Sequence, residues 1–388
     1  MINFTYYNPA KIIFGRNTEQ EVSVEVAKYG KKVLLHYGGG TIKKIGVYDK
    51  VVNALKAQGI EFIELGGVMP NPKLSLIQEG IKLCREHQVD FILAVGGGST
   101  IDSAKAIAVG VPYEGDVWDF YMNGMQAKEA LPIGVILTIP AAGSESSDSS
   151  VVTKEEGELK RYYGTHLMIP KFAILNPETT CYLPDYQTAC GASDIIAHLM
   201  ERYFTQVDHV DFTDRMIEAT LKTMFSYAPL ALLEPQNYDY RAEIMWAGTI
   251  AHNNLLNTGR IGDWASHDIE HEISGIYDIA HGAGLSIVFP AWMKYVYNEN
   301  QDRFVQFATR VMNVDFAMDQ KEMIIEEGIR RLESFYVKLG LPVRLSDIDI
   351  HEDRLQEMAD KTVLGRGTVG NFKKLTADDV YEILKLAL

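Results

Sequence analysis

Short apolar runs that end in glycine and lead into helix-patterned stretches fill the first half of this chain, and that order leaves few folds open. Residues 33–37 form an apolar run closed by Gly38-Gly39-Gly40. A helical stretch follows over residues 47–58, then a strand-like run over 61–65. Pro70-Asn71-Pro72 interrupts the chain ahead of an amphipathic stretch at 75–87. Residues 91–95 repeat the pattern, closing in Gly96-Gly97-Gly98-Ser99 before a helix expected over 102–109. Residues 133–139 are one more strand, closed by Pro140. Strands joined through intervening helices run parallel, and the crossovers cover both faces of the sheet.

Beyond Asn176-Pro177 and Leu183-Pro184-Asp185 the apolar spacing becomes helical. Helices are expected over 186–204, 211–233, 240–256, 263–274, 283–298, 301–311 and 320–339. A length of 388 residues favours two domains. The expectation is an α/β domain with a parallel, Rossmann-like sheet over 1–180 and an all-α domain over 181–388, with the boundary near 176–185. Hydrophobic residues make up 47% of the chain, enough for a core in each.

The formal charge of −15 argues against nucleic acid or anionic membrane as a general partner. Cys84, Cys181 and Cys190 show no C-x-x-C spacing and suit a reducing cytoplasm. The segment Met1-Ile2-Asn3-Phe4-Thr5 lacks the basic and apolar regions of a signal peptide, and no apolar run reaches membrane-spanning length. A cytoplasmic protein is expected.

Asp194 and His198 stand four residues apart, the spacing that shares one helix face. His267 and His271 repeat that spacing, and His281 sits in Ile279-Ala280-His281-Gly282 among small neighbours. One carboxylate with several neutral imidazoles suits a borderline divalent ion, Fe²⁺ or Zn²⁺, rather than the oxygen shell of calcium or magnesium. A single helical His is an ordinary core or surface residue, and His252 is read that way. Four of the ten His nevertheless fall between His252 and His281.

Gly96-Gly97-Gly98-Ser99 follows a strand and opens a helix, where backbone N–H groups and the helix dipole favour a phosphate. It is not the G-x-G-x-x-G pattern, and the same run would serve as a tight turn without a ligand. Gly38-Gly39-Gly40-Thr41 is a second loop in the same context, and two such loops flank one crevice if their strands are neighbours. No Asp or Glu follows the first strand to accept a ribose 2′-OH, and Lys43 and Lys44 lie just beyond. That favours NADP(H) over NAD(H).

The motif order resembles the iron-containing, or group III, alcohol dehydrogenases, and within them the butanol dehydrogenase and broad aldehyde reductase branch. The resemblance starts at Asn8-Pro9-Ala10-Lys11 and runs to the end of the chain. It is carried by Tyr37-Gly38-Gly39-Gly40, Asn71-Pro72, Gly96-Gly97-Gly98-Ser99 with Asp102-Ser103-Ala104-Lys105, Gly143-Ser144-Glu145 and Asn176-Pro177. Its strongest block runs from Asp263-Trp264-Ala265-Ser266-His267 through Glu270-His271-Glu272 and Asp278-Ile279-Ala280-His281-Gly282 to Pro290-Ala291-Trp292.

The resemblance implies a dehydroquinate synthase-like dinucleotide-binding domain, a helical metal domain and a homodimer. It implies metal ligation by Asp194, His198, His267 and His281, with His271 nearby as a candidate proton relay. It puts a pyrophosphate on Gly97, Gly98 and Ser99 with Asp102 following, the adenosine ribose among Gly38, Gly39, Gly40 and Thr41, and the rest of the dinucleotide against Asn71, Thr138 and Lys160. The reaction implied is hydride transfer between NADP(H), or NAD(H), and a primary alcohol or aldehyde such as butanol or butanal. Ser147 stands where the family often has Asn, so a cofactor bond there is lost or moved to Asp148. Cys190 is expected to be a small buried filler, and Trp264 either walls the substrate pocket or sits in the core. A glycerol dehydrogenase-like polyol oxidoreductase and a non-catalytic metal- and dinucleotide-binding protein are the competing readings. A dehydroquinate synthase is disfavoured, because residues 264–281 hold no Lys or Arg for a phosphorylated substrate.

Overall fold

The computed structural model describes residues 1–315 and 320–388. Its strands are β1 (Lys11–Phe14), β2 (Lys32–Tyr37), β3 (Glu61–Leu65), β4 (Phe91–Gly97), β5 (Ile133–Ile139), β6 (Ser149–Lys154), β7 (Leu159–Gly164) and β8 (Phe172–Leu175). Its helices of eight residues or more are α1 (Val47–Ala57), α2 (Leu74–His87), α3 (Gly98–Gly110), α4 (Asp185–Tyr203), α5 (Asp211–Leu233), α6 (Tyr238–His252), α7 (Ala265–Tyr277), α8 (His281–Val296), α9 (Gln301–Arg310), α10 (Lys321–Lys338), α11 (Leu355–Thr362) and α12 (Ala377–Leu386).

The chain divides into two compact units, and neither is continuous. One comprises Tyr7–Leu183 with Pro235–Asn253; the other comprises Met1–Tyr6, Pro184–Glu234 and Asn254–Leu388. Relative to a single cut near residue 180, helix α6 therefore belongs with the sheet, and the first six residues belong with the helices.

In the sheet unit six strands lie in the order β1-β8-β5-β4-β2-β3, all parallel, and β6 pairs antiparallel with β7. The central strands read as unbroken apolar runs because both faces are covered. Leu34, Ile92, Ala94, Val135, Leu137 and Ala173 point to one face, under α2 and α3. Val33, Leu35, Leu93, Val95, Ile136 and Ile174 point to the other, under α1. Each of the Val, Leu and Ile side chains among them, fully buried, contributes about 1.5–3 kcal/mol. His36 sits inside this sheet with its ring nitrogens on the Leu65 carbonyl and the Ser103 hydroxyl, and burial holds it neutral by pushing its pKa down to about 4.

In the helical unit the core is aromatic. Phe204 stacks on Phe304 at 4.6 Å between centroids and meets Trp292 edge-on at 5.3 Å. Where α8 passes α4, Gly282 is obligatory, since a Cβ there would lie 2.0 Å from the Cys190 carbonyl oxygen. Cys190 is buried beside it, and burial pushes its thiol up to about 11, so it is inert packing. No described helix is long and apolar enough to cross a membrane.

Candidate metal centre and cofactor loops

Asp194 and His198 project from one face of α4, with His198 Nε2 3.3 Å from Asp194 Oδ1. His267 lies in the first turn of α7 and His281 is the first residue of α8. Their Nε2 atoms stand 3.9 and 3.8 Å from the same Asp194 oxygen. The donor atoms of Asp194, His267 and His281 all lie within 4.8 Å of one another, and the His198 ring is 4.5 Å from that of His267. Donors bound at about 2.1 Å around a tetrahedral ion are about 3.4 Å apart. Three helices thus bring one carboxylate and three imidazoles to the spacing that a divalent ion takes, and the donor set fits Fe²⁺ or Zn²⁺.

Two carboxylates that the spacing argument passed over stand behind these histidines. Glu201 accepts from His267 Nδ1 at 2.8 Å, from the His267 backbone N–H at 3.0 Å and from the Trp264 N–H at 2.5 Å. It therefore caps the start of α7 as well as holding a histidine. Burial pushes its carboxyl pKa upward, against the pull of those N–H groups. Glu270 is hydrogen-bonded to His281 Nδ1. A signal for Glu201 was present, since Asp194, His198 and Glu201 follow i, i+4, i+7. Glu270 likewise lies three residues after His267.

Trp264 holds a left-handed backbone, φ 74°, immediately before α7, and its ring lies 5.9 Å from His198 and 5.5 Å from His267. Such a conformation costs a bulky residue about 1–3 kcal/mol and persists only where the surroundings hold it. Here the Glu201 carboxylate grips its N–H and the Arg202 guanidinium lies 4.7 Å from its ring. His271, one turn after His267, is buried with its ring stacked 5.6 Å from His281.

In the sheet unit β2 and β4 are direct neighbours, with Tyr37 opposite Val95. The chain leaves β2 towards β3 on one side and β4 towards β5 on the other, so the loops after β2 and β4 flank the point where strand order reverses. Helix α3 begins at Gly98, directly from the end of β4, one turn earlier than expected. A Cβ on Gly96 would meet Thr100 Oγ1 at 2.5 Å, and one on Gly97 would meet Ile139 Cβ at 2.9 Å. Those glycines are set by the protein's own packing. Gly39 and Gly40 differ, because a Cβ on either would meet no protein atom within 4 Å.

Asn71 is buried in a left-handed conformation between its two prolines. Thr138 is the next-to-last residue of β5 and Lys160 lies in β7, both buried. Asp102 is engaged within the protein: it accepts from the Ser144 hydroxyl at 2.6 Å and the Val151 N–H at 3.0 Å. Burial raises its carboxyl pKa, against the pull of Lys105, those two donors and Lys160. Lys105, on the same helix, is fully buried and donates to Ser144 Oγ, to Ser147 O and Oγ and to Ser149 O at 2.8–3.1 Å. Burial lowers its pKa to about 8. The Ser147 hydroxyl thus serves Lys105 and Ser149. His252 is a core residue, buried and bonded through Nε2 to Ser149 Oγ at 3.0 Å.

Residues 9–177 match the model of the iron-containing alcohol dehydrogenase family, and residues 188–388 match that of its C-terminal region. The chain is 46% identical over 388 residues to probable NADH-dependent butanol dehydrogenase 1 of Bacillus subtilis, covering 100% of both. It is 38% identical over 355 residues to the NADPH-dependent aldehyde reductase YqhD of Escherichia coli, covering 89% of each. Among solved structures, NADH-dependent butanol dehydrogenase A of Thermotoga maritima superposes with a TM-score of 0.95 at 41% identity, over 99% of this chain and 98% of that one.

Proposed function

The chain belongs to the iron-containing alcohol dehydrogenase family, and from that premise we propose that it reduces medium-chain aldehydes, butanal to butanol as the type reaction, at the cluster of Asp194, His198, His267 and His281. As an oxidoreductase of alcohols and aldehydes it uses a nicotinamide cofactor and a divalent metal. The observation that carries the proposal is the convergence of three imidazole Nε2 atoms on one Asp194 oxygen.

Those four residues would hold a divalent ion, which would supply Lewis acidity to the substrate oxygen. The other tasks fall to the chain. Glu201 and Glu270 hold two of the imidazoles in place. Trp264 flanks the cluster with an apolar ring that limits water. His271, stacked on His281, passes the proton that the new alcohol needs. The loops at Gly38–Thr41 and Gly97–Ser99 hold the dinucleotide, and Asn71, Thr138 and Lys160 complete its contacts. Asp102 supports that region by fixing Ser144.

For the cofactor, NADP(H) is favoured by the open Gly38–Thr41 loop and by Lys43, whose ammonium lies over the Tyr37 and Tyr48 rings at 5.1 and 4.6 Å. Glu64 supports NAD(H) as the second reading. It stands on β3 beside β2 and accepts from the Tyr37 and Tyr48 hydroxyls, each at 2.7 Å. A homodimer in the cytoplasm completes the proposal. It is supported by the edge position of β1, where Phe14 and Trp246 are exposed, and by three buried free cysteines. The test is an anaerobic assay of the metal-loaded protein with butanal and glycerol-derived substrates, with NADPH and NADH in separate cuvettes. Faster oxidation of NADPH with butanal supports the reading. Faster NADH oxidation overturns the cofactor choice, and a preference for the glycerol-derived carbonyl over butanal overturns the substrate.

A further inference from the structure

We propose that Glu201 and Glu270 are positioning residues that fix the tautomers of His267 and His281, and so set how tightly the centre holds its ion. The inference rests on the reading of Asp194, His198, His267 and His281 as metal ligands. A neutral imidazole coordinates through the nitrogen that lacks a proton, and the hydrogen bond at its other nitrogen decides which one that is. In both histidines Nδ1 faces a fully buried carboxylate, Glu201 at 2.8 Å and Glu270, while Nε2 faces Asp194. Glu201 Oε1 and Oε2 each already accept a backbone N–H, and a carboxyl oxygen at Nδ1 likewise accepts, so Nδ1 carries the proton and Nε2 is left for the ion.

The two pairs also tie the three helices in sequence. Helix α4 supplies Asp194 and His198, and its Glu201 holds the ligand on α7. Helix α7 supplies His267, and its Glu270 holds the ligand on α8. Each ligand-bearing helix thus orients the ligand of the next, and the cluster keeps its shape between binding events. Gly284 on α8 makes room for this arrangement, since a Cβ there would lie 2.6 Å from Glu270 Cγ. Glu201 also caps α7, so its replacement disturbs the helix start. Glu270 is the cleaner probe.

The test measures cobalt(II) binding to ion-stripped wild-type, Glu270→Gln and Gly284→Ala proteins, each checked for folding by circular dichroism. Glu270→Gln removes the charge and keeps the shape; Gly284→Ala displaces the Glu270 side chain and removes no ionisable group. Chelator competition is expected to give dissociation constants roughly 10- to 100-fold weaker in both variants. The ligand-field absorption bands of the bound cobalt are expected to shift, which loss of fold stability alone would not cause. Unchanged affinity and unchanged bands in both variants would overturn the inference. A wild-type protein that binds no cobalt would overturn it together with the metal-centre reading. Weaker binding and shifted bands beside an inactive wild type would uphold it and fault only the proposed substrate.

Discussion

Replacing Gly39 and Gly97 by alanine separates a glycine kept for a ligand from one kept for the fold. At Gly97 a Cβ would sit 2.9 Å from Ile139 Cβ and 3.1 Å from its Cδ1, against an ordinary separation of 3.4–4 Å. Ile139 ends β5, so both partners are anchored in the sheet and neither yields freely. Overpacking of this kind costs about 1–3 kcal/mol. Gly97→Ala should therefore lower the thermal midpoint of the cofactor-free protein and weaken dinucleotide binding as the loop shifts. At Gly39 no protein atom lies within 4 Å of the added methyl, and the backbone is outside the left-handed region. Gly39→Ala should leave stability unchanged or raise it by up to about 1 kcal/mol, through the loss of unfolded-state freedom. If a dinucleotide packs against this loop, the methyl meets the ligand instead. A similar steric cost of about 1–3 kcal/mol becomes a dissociation constant roughly 5- to 150-fold weaker. The assay is thermal unfolding without cofactor, followed by titration of NADPH and NADH monitored by protein fluorescence. A Gly39→Ala protein that binds both cofactors as tightly as wild type would refute the placement of the dinucleotide on this loop.

Three other outcomes are expected. His271→Gln should retain a full complement of metal while turnover falls about 10²-fold or more, as measured by metal analysis beside steady-state kinetics; unchanged turnover removes the relay role. Lys105 has a pKa of about 8 in the folded state and 10.5 in the unfolded, so the unfolded chain holds more protons between those values and stability rises with pH across that window. Urea midpoints should show wild type gaining about 2 kcal/mol from pH 7 to pH 9.5 relative to Lys105→Met, and parallel curves would contradict the burial argument. Trp292→Ala, cut from the aromatic core beside Phe204 and Phe289, should cost about 3–5 kcal/mol by the same denaturation assay, with metal affinity retained.

The strands at the heart of the sheet were legible because β2, β4 and β5 are covered on both faces and so read as apolar runs closed by glycine or proline. Strands β1 and β8 were not, since four residues at Lys11–Phe14 and Phe172–Leu175 carry too little pattern. The β6–β7 hairpin hid in a polar stretch, Ser149-Ser150-Val151-Val152-Thr153. Helix α6 was visible as a helix, but its membership of the sheet unit depends on long-range packing, with Met245 in that core and Thr249 bonded to Glu145. At the metal cluster the histidines announced themselves by rarity and spacing. Glu201 and Glu270 did not, because a glutamate on a helix is ordinarily a solvated residue and only the fold shows these two buried against imidazoles. Lys105 was concealed for the same reason. A lysine about two turns into a helix gives no sign in sequence that four acceptors from another segment will close over it.

The most direct test of the central claim is an anaerobic titration of ion-stripped protein with Fe²⁺ and, separately, Zn²⁺, following butanal reduction as equivalents are added. The account predicts activity that rises linearly and breaks at one ion per chain, with Asp194→Asn folded yet gaining no activity at the same additions. Turnover in the fully stripped protein, or an Asp194→Asn variant that loads and works like wild type, would contradict it.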